Sequence, residues 1–461
     1  MTGPGDIVRG LSGTEAAAAY AHLLTRGGGR LTTGFTVDRP FSPARVERSV
    51  RTWLERSPML SLRIEETADG LLFRRPGPAD RDATGWAGAS RASPGGRLWR
   101  LRARPDPGGG TRFSLGLHPA ICDGYTSSRL VRSLLAALLD GDPQVAAAPR
   151  ELSPEVLPPD TDELTYAGSD ACGCGACGRR RPPRYAGSSE RISPPEYAAP
   201  PEYAAPSEYT APPDRTVPPE GTEPVRRREL SGRARPAGLA PPGLPRVERD
   251  DGPLVLSLPA RESRRLREWC LARRLTVSGF LTSVLAEALA RRTEHTEVAV
   301  ATAMSLRRRY AERTLIAEPG CVLTMVDARL RAVPGGEPSA RARSDAAALC
   351  AAGREWRPDR RGHAAIRRSA AERAAHVRVP ELRVVDAGAV DAALGPYAAR
   401  VTRLRTVAAR GAGPPGVSLH LSSFRGELTV ILASGELGRE WAAAAGHELA
   451  AAVLPSDAHH A

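Results

Sequence analysis

A long proline-rich segment near the middle of the chain limits how this sequence can fold. Prolines are dense between residues 164 and 250, where a hexapeptide, Pro-Glu-Tyr-Ala-Ala-Pro from Pro195, repeats at once and then recurs in altered form. Such a segment has too few apolar side chains to bury a core, and its prolines favour extended, polyproline-like backbone. We therefore predict a disordered linker over residues 164–250, between folded regions at residues 1–163 and 251–461.

Removal of this linker is expected to leave the folded regions intact. Replacing residues 170–245 by a short flexible sequence should hardly change the midpoint of thermal unfolding, because the segment has few apolar side chains to lose from a core. Differential scanning calorimetry of the full and shortened chains measures this. A large loss of stability would show instead that the segment is part of the fold.

The composition of the whole chain is that of an ordinary folded protein. Hydrophobic residues make up 41% and charged residues 25% of the 461 residues, which is usual for globular domains. No apolar run approaches the length of about 20 residues that spans a bilayer, and the first residues lack the pattern of a signal peptide. We therefore expect a cytoplasmic protein without a membrane span.

The net charge of +13 raises the question of nucleic-acid binding. The 65 positively charged side chains are all arginine, and the chain contains neither lysine nor asparagine, which indicates biased coding rather than a dedicated basic surface. No basic helix with interleaved aromatic residues and no known reading motif accompanies the charge. Nucleic acid is therefore not an expected partner.

Both folded regions mix helix and strand patterns, which predicts a mixed α/β fold. Ser12 and Glu15 form a capping-box pattern ahead of an alanine-rich helix, and Ser42 precedes a second, amphipathic helix. In the other region Thr276 precedes a helix with a broad apolar face. Strands are predicted at residues 61–66, 71–74, 98–103, 112–118, 254–258, 297–304, 321–326, 417–421 and 428–433.

One segment carries a functional pattern. Residues 115–124 read Leu-Gly-Leu-His-Pro-Ala-Ile-Cys-Asp-Gly at the end of a predicted strand, and an apolar-faced helix pattern follows. This segment resembles the His-His-x-x-x-Asp-Gly signature of the CoA-dependent acyltransferases and condensation domains. Similar stretches occur through most of both regions, at residues 11–15, 57–60, 69–70, 275–277, 298–307 and 320–322.

The resemblance implies two chloramphenicol-acetyltransferase-like lobes with a channel between them. It is closest to the polyketide-associated acyltransferases, and it implies transfer of an acyl group from CoA or an acyl carrier protein to an alcohol or amine, in secondary metabolism and without a cofactor. In that family the second histidine of the signature is the general base. Here that position is Pro119, which has no side-chain proton to exchange.

Two neighbours of Pro119 are candidates for the missing catalytic group. His118 would have to turn into the channel, because adjacent side chains alternate across a strand, and a packed structural histidine is the favoured interpretation. Cys122 is a candidate thiolate nucleophile, but its apolar neighbours favour a small buried residue.

The resemblance also implies structural roles for three residues. Asp123 is expected to pair with Arg307 from the other lobe, and Gly124 to allow a tight turn into the following helix. The alternatives are a solvated basic run at residues 307–309 and an ordinary loop glycine.

A second stretch departs from the family pattern. Asp386 and Gly388 resemble the first and third residues of the family's Asn-x-Gly-Arg stretch, and they are expected to lie at the channel. Ala389 stands at the position of the arginine, so a second polar group is lost there.

Three cysteines in six residues, Cys172, Cys174 and Cys177, allow a zinc site if a fourth ligand is supplied elsewhere. No second pair of ligands with the spacing of a zinc site is evident, and an incidental cluster of cysteines in the linker is favoured. No metal is therefore expected.

Two functions remain open from the sequence. One is an acyltransferase whose catalysis is weakened or rerouted by the loss of the base. The other is a non-catalytic relative that binds an acyl carrier or a pathway intermediate. A third, weaker hypothesis is that the arginine-rich linker docks an acidic partner such as a carrier protein.

Overall fold

A computed structural model describes residues 7–25, 27–75, 97–139, 246–248, 253–307, 320–331, 337–357, 361–375, 380–408, 416–434 and 444–445. Most of the predicted linker, with its repeats and its three cysteines, lies outside these residues. Arg246–Glu248 forms a strand inside the segment predicted as linker, so folded structure resumes before residue 251.

The helices begin where the sequence supplies side-chain caps. Ser12 Oγ accepts the Glu15 N–H at 3.1 Å while the Glu15 carboxylate accepts the Ser12 N–H at 2.8 Å, which is the predicted capping box. Ser42 and Thr276 cap the two other predicted helices. The described helices are α1 (Gly13–Leu24), α2 (Pro43–Glu55), α3 (Gly124–Leu139), α4 (Ala260–Ala272), α5 (Val277–Thr293), α6 (Pro338–Glu355), α7 (His363–Ala375) and α8 (Asp391–Leu394).

The strands form three sheets. They are β1 (Ile7–Gly10), β2 (Leu31–Val37), β3 (Arg63–Thr67), β4 (Gly70–Arg74), β5 (Trp99–Pro105), β6 (Thr111–Leu117), β7 (Arg246–Glu248), β8 (Leu254–Leu258), β9 (Glu297–Ser305), β10 (Leu323–Arg331), β11 (Glu381–Ala389), β12 (Val401–Ala408), β13 (Gly416–Phe424) and β14 (Glu427–Ser434). The sheet orders are β1-β4-β3, β12-β2-β6-β5 and β10-β9-β11-β13-β14-β8-β7. Strand β11 runs parallel to β9 and β13, and the other pairs are antiparallel.

Two hydrophobic cores define two lobes. The N-terminal lobe contains the three- and four-stranded sheets with α1, α2, α3 and α7, and its buried aromatic side chains include Phe35, Trp53 and Phe113. The C-terminal lobe contains the seven-stranded sheet, one face of which is covered by α4, α5 and α6. Each lobe therefore buries its own apolar side chains.

The lobes do not coincide with the two halves of the chain. Strand β12 from the C-terminal half pairs with β2 along its whole length and forms the edge of the N-terminal sheet. Ile366, Leu394 and Leu404 also lie in the core of the N-terminal lobe. Some residues after position 251 therefore belong to the N-terminal lobe, so a boundary at residue 251 does not separate the two lobes.

A histidine holds α7 against the N-terminal lobe. His363 Nδ1 accepts the Leu71 N–H at 2.8 Å, and its Nε2 lies 2.9 Å from the Leu11 carbonyl oxygen. Gly70 has φ +131°, and a Cβ there would overlap the His363 ring. The turn between β3 and β4 thus needs glycine at residue 70 for both backbone and space.

Several predicted boundaries are wrong by one to five residues, the largest error being at the end of β10, which was expected at residue 326 and lies at Arg331. The strand expected from residue 61 begins at Arg63, because Pro58–Ser61 forms a 3-10 turn. The strand expected through residue 118 ends at Leu117, so His118 lies in the turn that follows.

No helix within the described ranges is long and apolar enough to cross a membrane.

Candidate functional site

A buried ion pair joins the two lobes at the start of α3. The Arg307 side chain donates to Asp123 Oδ2 from Nη2 at 2.8 Å and from Nε at 3.2 Å. Both side chains are about 95% buried, with 5% and 6% of their surfaces exposed. The predicted Asp123–Arg307 pair is thus present, and Arg307 does not belong to a solvated run.

The second carboxylate oxygen of Asp123 is used by the helix. Asp123 Oδ1 accepts the Thr126 N–H at 2.7 Å, so Asp123 caps α3 while its other oxygen binds Arg307. Thr126 Oγ1 accepts from Arg307 Nη2 at 2.9 Å and from the Gly320 N–H at 2.9 Å, and it donates to the Gly320 carbonyl at 2.8 Å. The Arg307 guanidinium also lies 4.4 Å from the centre of the Tyr125 ring. These contacts tie the start of α3 to the C-terminal lobe.

Pro119 occupies the second position of a β-turn between β6 and α3. The Ile121 N–H donates to the His118 carbonyl at 3.1 Å and closes the turn over residues 118–121. Proline suits this position because its fixed φ matches the turn. Pro119 is partly exposed, and it faces Gly29, where a Cβ would lie 3.6 Å from Pro119 Cγ. Pro119 is therefore accessible, and Gly29 opposite it leaves space for a larger side chain.

His118 is packed rather than free. Its ring lies edge-on to the His22 ring of α1, with the centroids 4.3 Å apart, and its Nδ1 accepts the Ala120 N–H at 3.2 Å. Burial, together with the nearby His22 and Arg30, holds the pKa of His118 well below the usual 6.5. Since Nδ1 is an acceptor, the ring proton is on Nε2, so the neutral ring has no free nitrogen lone pair to act as a base.

The second predicted stretch lies beside the first. A Cβ on Gly124 would lie 3.9 Å from the Cβ of Ala387, which stands between Asp386 and Gly388. The Asp386 carboxylate accepts the Gly388 N–H at 2.8 Å, and Gly388 has φ +63°. Asp386 and Gly388 are exposed, and their stretch adjoins the start of α3.

Comparison with solved structures places this arrangement in a known fold. Polyketide synthase associated protein 5 from Mycobacterium tuberculosis matches with a TM-score of 0.59 and 17% identity over 98% of both chains. The first condensation domain of the CDA synthetase matches with a TM-score of 0.55 and 16% identity over 96% of this chain and 94% of that one.

The protein has the condensation-domain fold. The predicted fold class, two chloramphenicol-acetyltransferase-like lobes, is confirmed by these matches. The starter condensation domain of rhizomide synthetase, solved in complex with C8-CoA, matches with a TM-score of 0.54 and 14% identity over 96% of this chain and 92% of that one. No protein-family model and no curated protein sequence matches the chain.

Cysteine chemistry is disfavoured at the site of this condensation-domain fold. Cys122 is 3% exposed, and burial raises the pKa of its thiol well above the usual 9.0. Cys321 from the C-terminal lobe is equally buried, and burial raises the pKa of its thiol as well. A thiolate is therefore costly to form at either position, and the nucleophile hypothesis for Cys122 loses its support. Within the described part of the chain no cluster of side chains suits a metal ion.

Two histidines at the site are missed by sequence reasoning. His22 is 2% exposed in α1, where its Nδ1 lies 2.9 Å from the Gly28 carbonyl oxygen, and burial lowers its pKa. His420 is 2% exposed in β13, and burial with the nearby Arg383 lowers its pKa to about 4. Neither residue belongs to a motif, so only the isolated position of each in an apolar pattern could have drawn attention to it.

Three histidines with lowered pKa values predict a loss of stability on mild acidification. His22, His118 and His420 have lowered pKa values in the folded protein, so the unfolded chain binds more protons once the pH falls below about 6.5. The free energy of unfolding should fall from pH 7.5 to 5.5, with a slope of up to about 1.4 kcal/mol per pH unit for each histidine. Urea titrations at each pH measure this. His420→Gln should reduce the slope, and an unchanged slope would contradict the assignment.

Proposed function

We propose that this protein binds an acyl thioester between its two lobes and lacks the general base that would make it an efficient acyltransferase. The observation that carries the proposal is Pro119, which by the family resemblance occupies the base position, on a turn close to the Asp123–Arg307 pair, while Ala389 replaces a second polar group of the family. The Asp123–Arg307 pair and the capped start of α3 hold that turn in place. The site therefore has its framework without its proton acceptor.

His118 does not replace that acceptor in this proposal. Its Nδ1 is occupied by a backbone N–H and its pKa is lowered by burial, so taking a proton from an alcohol or amine would be unfavourable. General-base catalysis is worth about 100- to 10,000-fold, so any transfer that remains should be slow. Positioning and hydrogen bonds to the reacting carbonyl can still support that residual rate.

The ligand class is proposed from the family resemblance and from a structural neighbour. A rhizomide synthetase domain of the same fold has been solved with C8-CoA, which makes octanoyl-CoA a suitable first probe. An acyl carrier protein would present the same thioester on a similar arm, and an alcohol or amine would be the acceptor in any residual transfer. Secondary metabolism, and a cytoplasmic location, are the proposed setting.

Binding and chemistry can be tested separately on the full chain. Isothermal titration calorimetry with octanoyl-CoA should give saturable binding, and unacylated CoA should bind more weakly because it lacks the apolar chain. Release of free thiol from octanoyl-CoA in the presence of 1-octanol should stay near the rate without protein.

Two results would overturn the proposal. If neither octanoyl-CoA nor octanoyl-pantetheine binds, the protein is not a thioester-binding protein. If the wild type transfers the acyl group rapidly and His118→Ala abolishes the transfer with the fold intact, His118 is the base and the protein is an active acyltransferase.

A further inference from the structure

His420 lies where the two lobes touch. It belongs to β13, and its neighbours Leu419 and Leu421 point into the core of the C-terminal lobe. Since side chains alternate along a strand, His420 points to the opposite face of the sheet. There its Nδ1 accepts the N–H of Ala408 at 3.5 Å, and Ala408 belongs to β12, the edge strand of the N-terminal sheet.

This contact decides where the His420 proton lies. Because Nδ1 accepts a hydrogen bond, the neutral ring carries its proton on Nε2. His420 is neutral at physiological pH, since burial lowers its pKa to about 4. Within the described residues the Nε2 atom is buried and has no hydrogen-bond partner. Buried polar atoms are nearly always paired, so an unpaired N–H at an interface between lobes calls for an explanation.

The same face of the sheet carries a second unpaired polar atom. Ser257 of β8 points away from the core, between the buried Leu256 and Leu258, and its Oγ is also buried without a partner among the described residues. Thr429 and Ser422 lie beside it in register on the next two strands, and both are buried. An apolar acyl chain would leave His420 Nε2 and Ser257 Oγ unsatisfied, at a cost in free energy.

We infer that the acyl group bound by this protein carries a carbonyl oxygen, and that the Nε2–H of His420 donates a hydrogen bond to it. The inference rests on the proposed thioester-binding function and specifies its substrate class: an oxo-acyl thioester rather than a saturated one. A carbonyl oxygen accepts without donating, which complements a ring nitrogen that only donates.

The position of His420 sets where that oxygen lies along the chain. Ala408 pairs with Leu31 of β2, and Leu31 pairs with Leu117 of β6, the residue before His118. Ala408 and Leu117 are two strands apart, at a spacing of about 4.8 Å per strand. The oxygen bound by His420 therefore lies roughly 10 Å from the motif. The recognised oxygen is therefore several carbons away from the thioester.

A series of matched ligands tests the inference on the wild-type protein. Octanoyl-CoA is compared by calorimetry with its 3-oxo, 5-oxo and 7-oxo derivatives, which differ only in the position of one carbonyl oxygen. We expect the 5-oxo or 7-oxo compound to bind about 5- to 10-fold more tightly than octanoyl-CoA, the value of one well-formed hydrogen bond. The 3-oxo compound should gain less.

Two substitutions distinguish the roles of the two ring nitrogens of His420. The amide oxygen of His420→Asn can still accept the Ala408 N–H but has no group at the place of Nε2, whereas the longer amide of His420→Gln can place an N–H there. The preference for the oxo ligand should disappear in His420→Asn and persist in part in His420→Gln. A merely structural histidine would change the stability of these variants but not the ratio of the two dissociation constants.

The outcomes distinguish this inference from the function on which it rests. If octanoyl-CoA binds and no oxo derivative binds more tightly, the inference fails while thioester binding stands. If an oxo preference exists but His420→Asn retains it, the oxygen is recognised elsewhere and the role of His420 is wrong. If none of the four thioesters binds, the proposed function itself fails.

Discussion

Replacing Pro119 by histidine is expected to raise acyl transfer from octanoyl-CoA to 1-octanol by about 100-fold or more, the lower range of general-base catalysis. The turn should tolerate the change, because the second position of this β-turn accepts most residues and Gly29 leaves space opposite the side chain. Loss of the proline should cost only about 0.4–1 kcal/mol of stability. Release of free thiol, followed spectroscopically, measures the rate.

The pH dependence of the variant provides a second measurement. A histidine base must be neutral to accept a proton, so the rate for Pro119→His should rise as the pH passes about 6.5 and then level off. The wild type should show no such rise. Pro119→Gln is the matched control, since it introduces a polar side chain of similar size that cannot act as a base at these pH values.

Two results would contradict this expectation in different ways. An inactive but folded Pro119→His, tested with several acyl donors, would mean that the region between the lobes has diverged beyond acyl transfer and that binding is the whole function. An equal gain in Pro119→Gln would mean that the proline itself, and not the lack of a proton acceptor, limits the transfer rate of the wild type.

The Asp123–Arg307 pair is expected to be the most costly polar contact to break. Removing one partner leaves a charge buried between the lobes, and such losses are typically about 3–5 kcal/mol. Asp123→Asn is the better substitution on one side, because the amide oxygen can still cap α3 through the Thr126 N–H. Arg307→Met removes the charge on the other side and keeps an unbranched chain. Urea unfolding gives the free energy of unfolding for each variant.

The double variant tests whether the two residues act through each other. With no charge left unpaired, Asp123→Asn with Arg307→Met should cost less than the sum of the single changes, by about 1–3 kcal/mol. Strict additivity would argue against the contact. Arg51→Ala is the control, because the Arg51–Glu47 pair is 62% and 52% exposed and its loss should cost less than about 1 kcal/mol.

Local sequence signals were sufficient for part of this protein. The capping box at Ser12 and Glu15 and the cap at Thr276 depend on contacts between residues three positions apart, and the structure has both. The absence of a base at Pro119 is a property of the side chain itself, so no fold could change it. The strand before the motif and the helix after it were likewise readable, because their signals lie within one stretch of chain, but the turn over residues 118–121 was not predicted.

The tertiary structure alone decided which residues share the site. His22 meets His118, Arg307 meets Asp123 and Ala408 meets His420 although each belongs to a different element, and Arg307 is 184 positions from Asp123. Strand β12 carries no sign in its own residues that it will cross to the sheet of the other lobe. Such pairings depend on register and packing over the whole chain, and a local pattern contains neither. The sequence by itself therefore determined that residue 119 has no side-chain proton to exchange, and the packing of the lobes determined which other groups surround it.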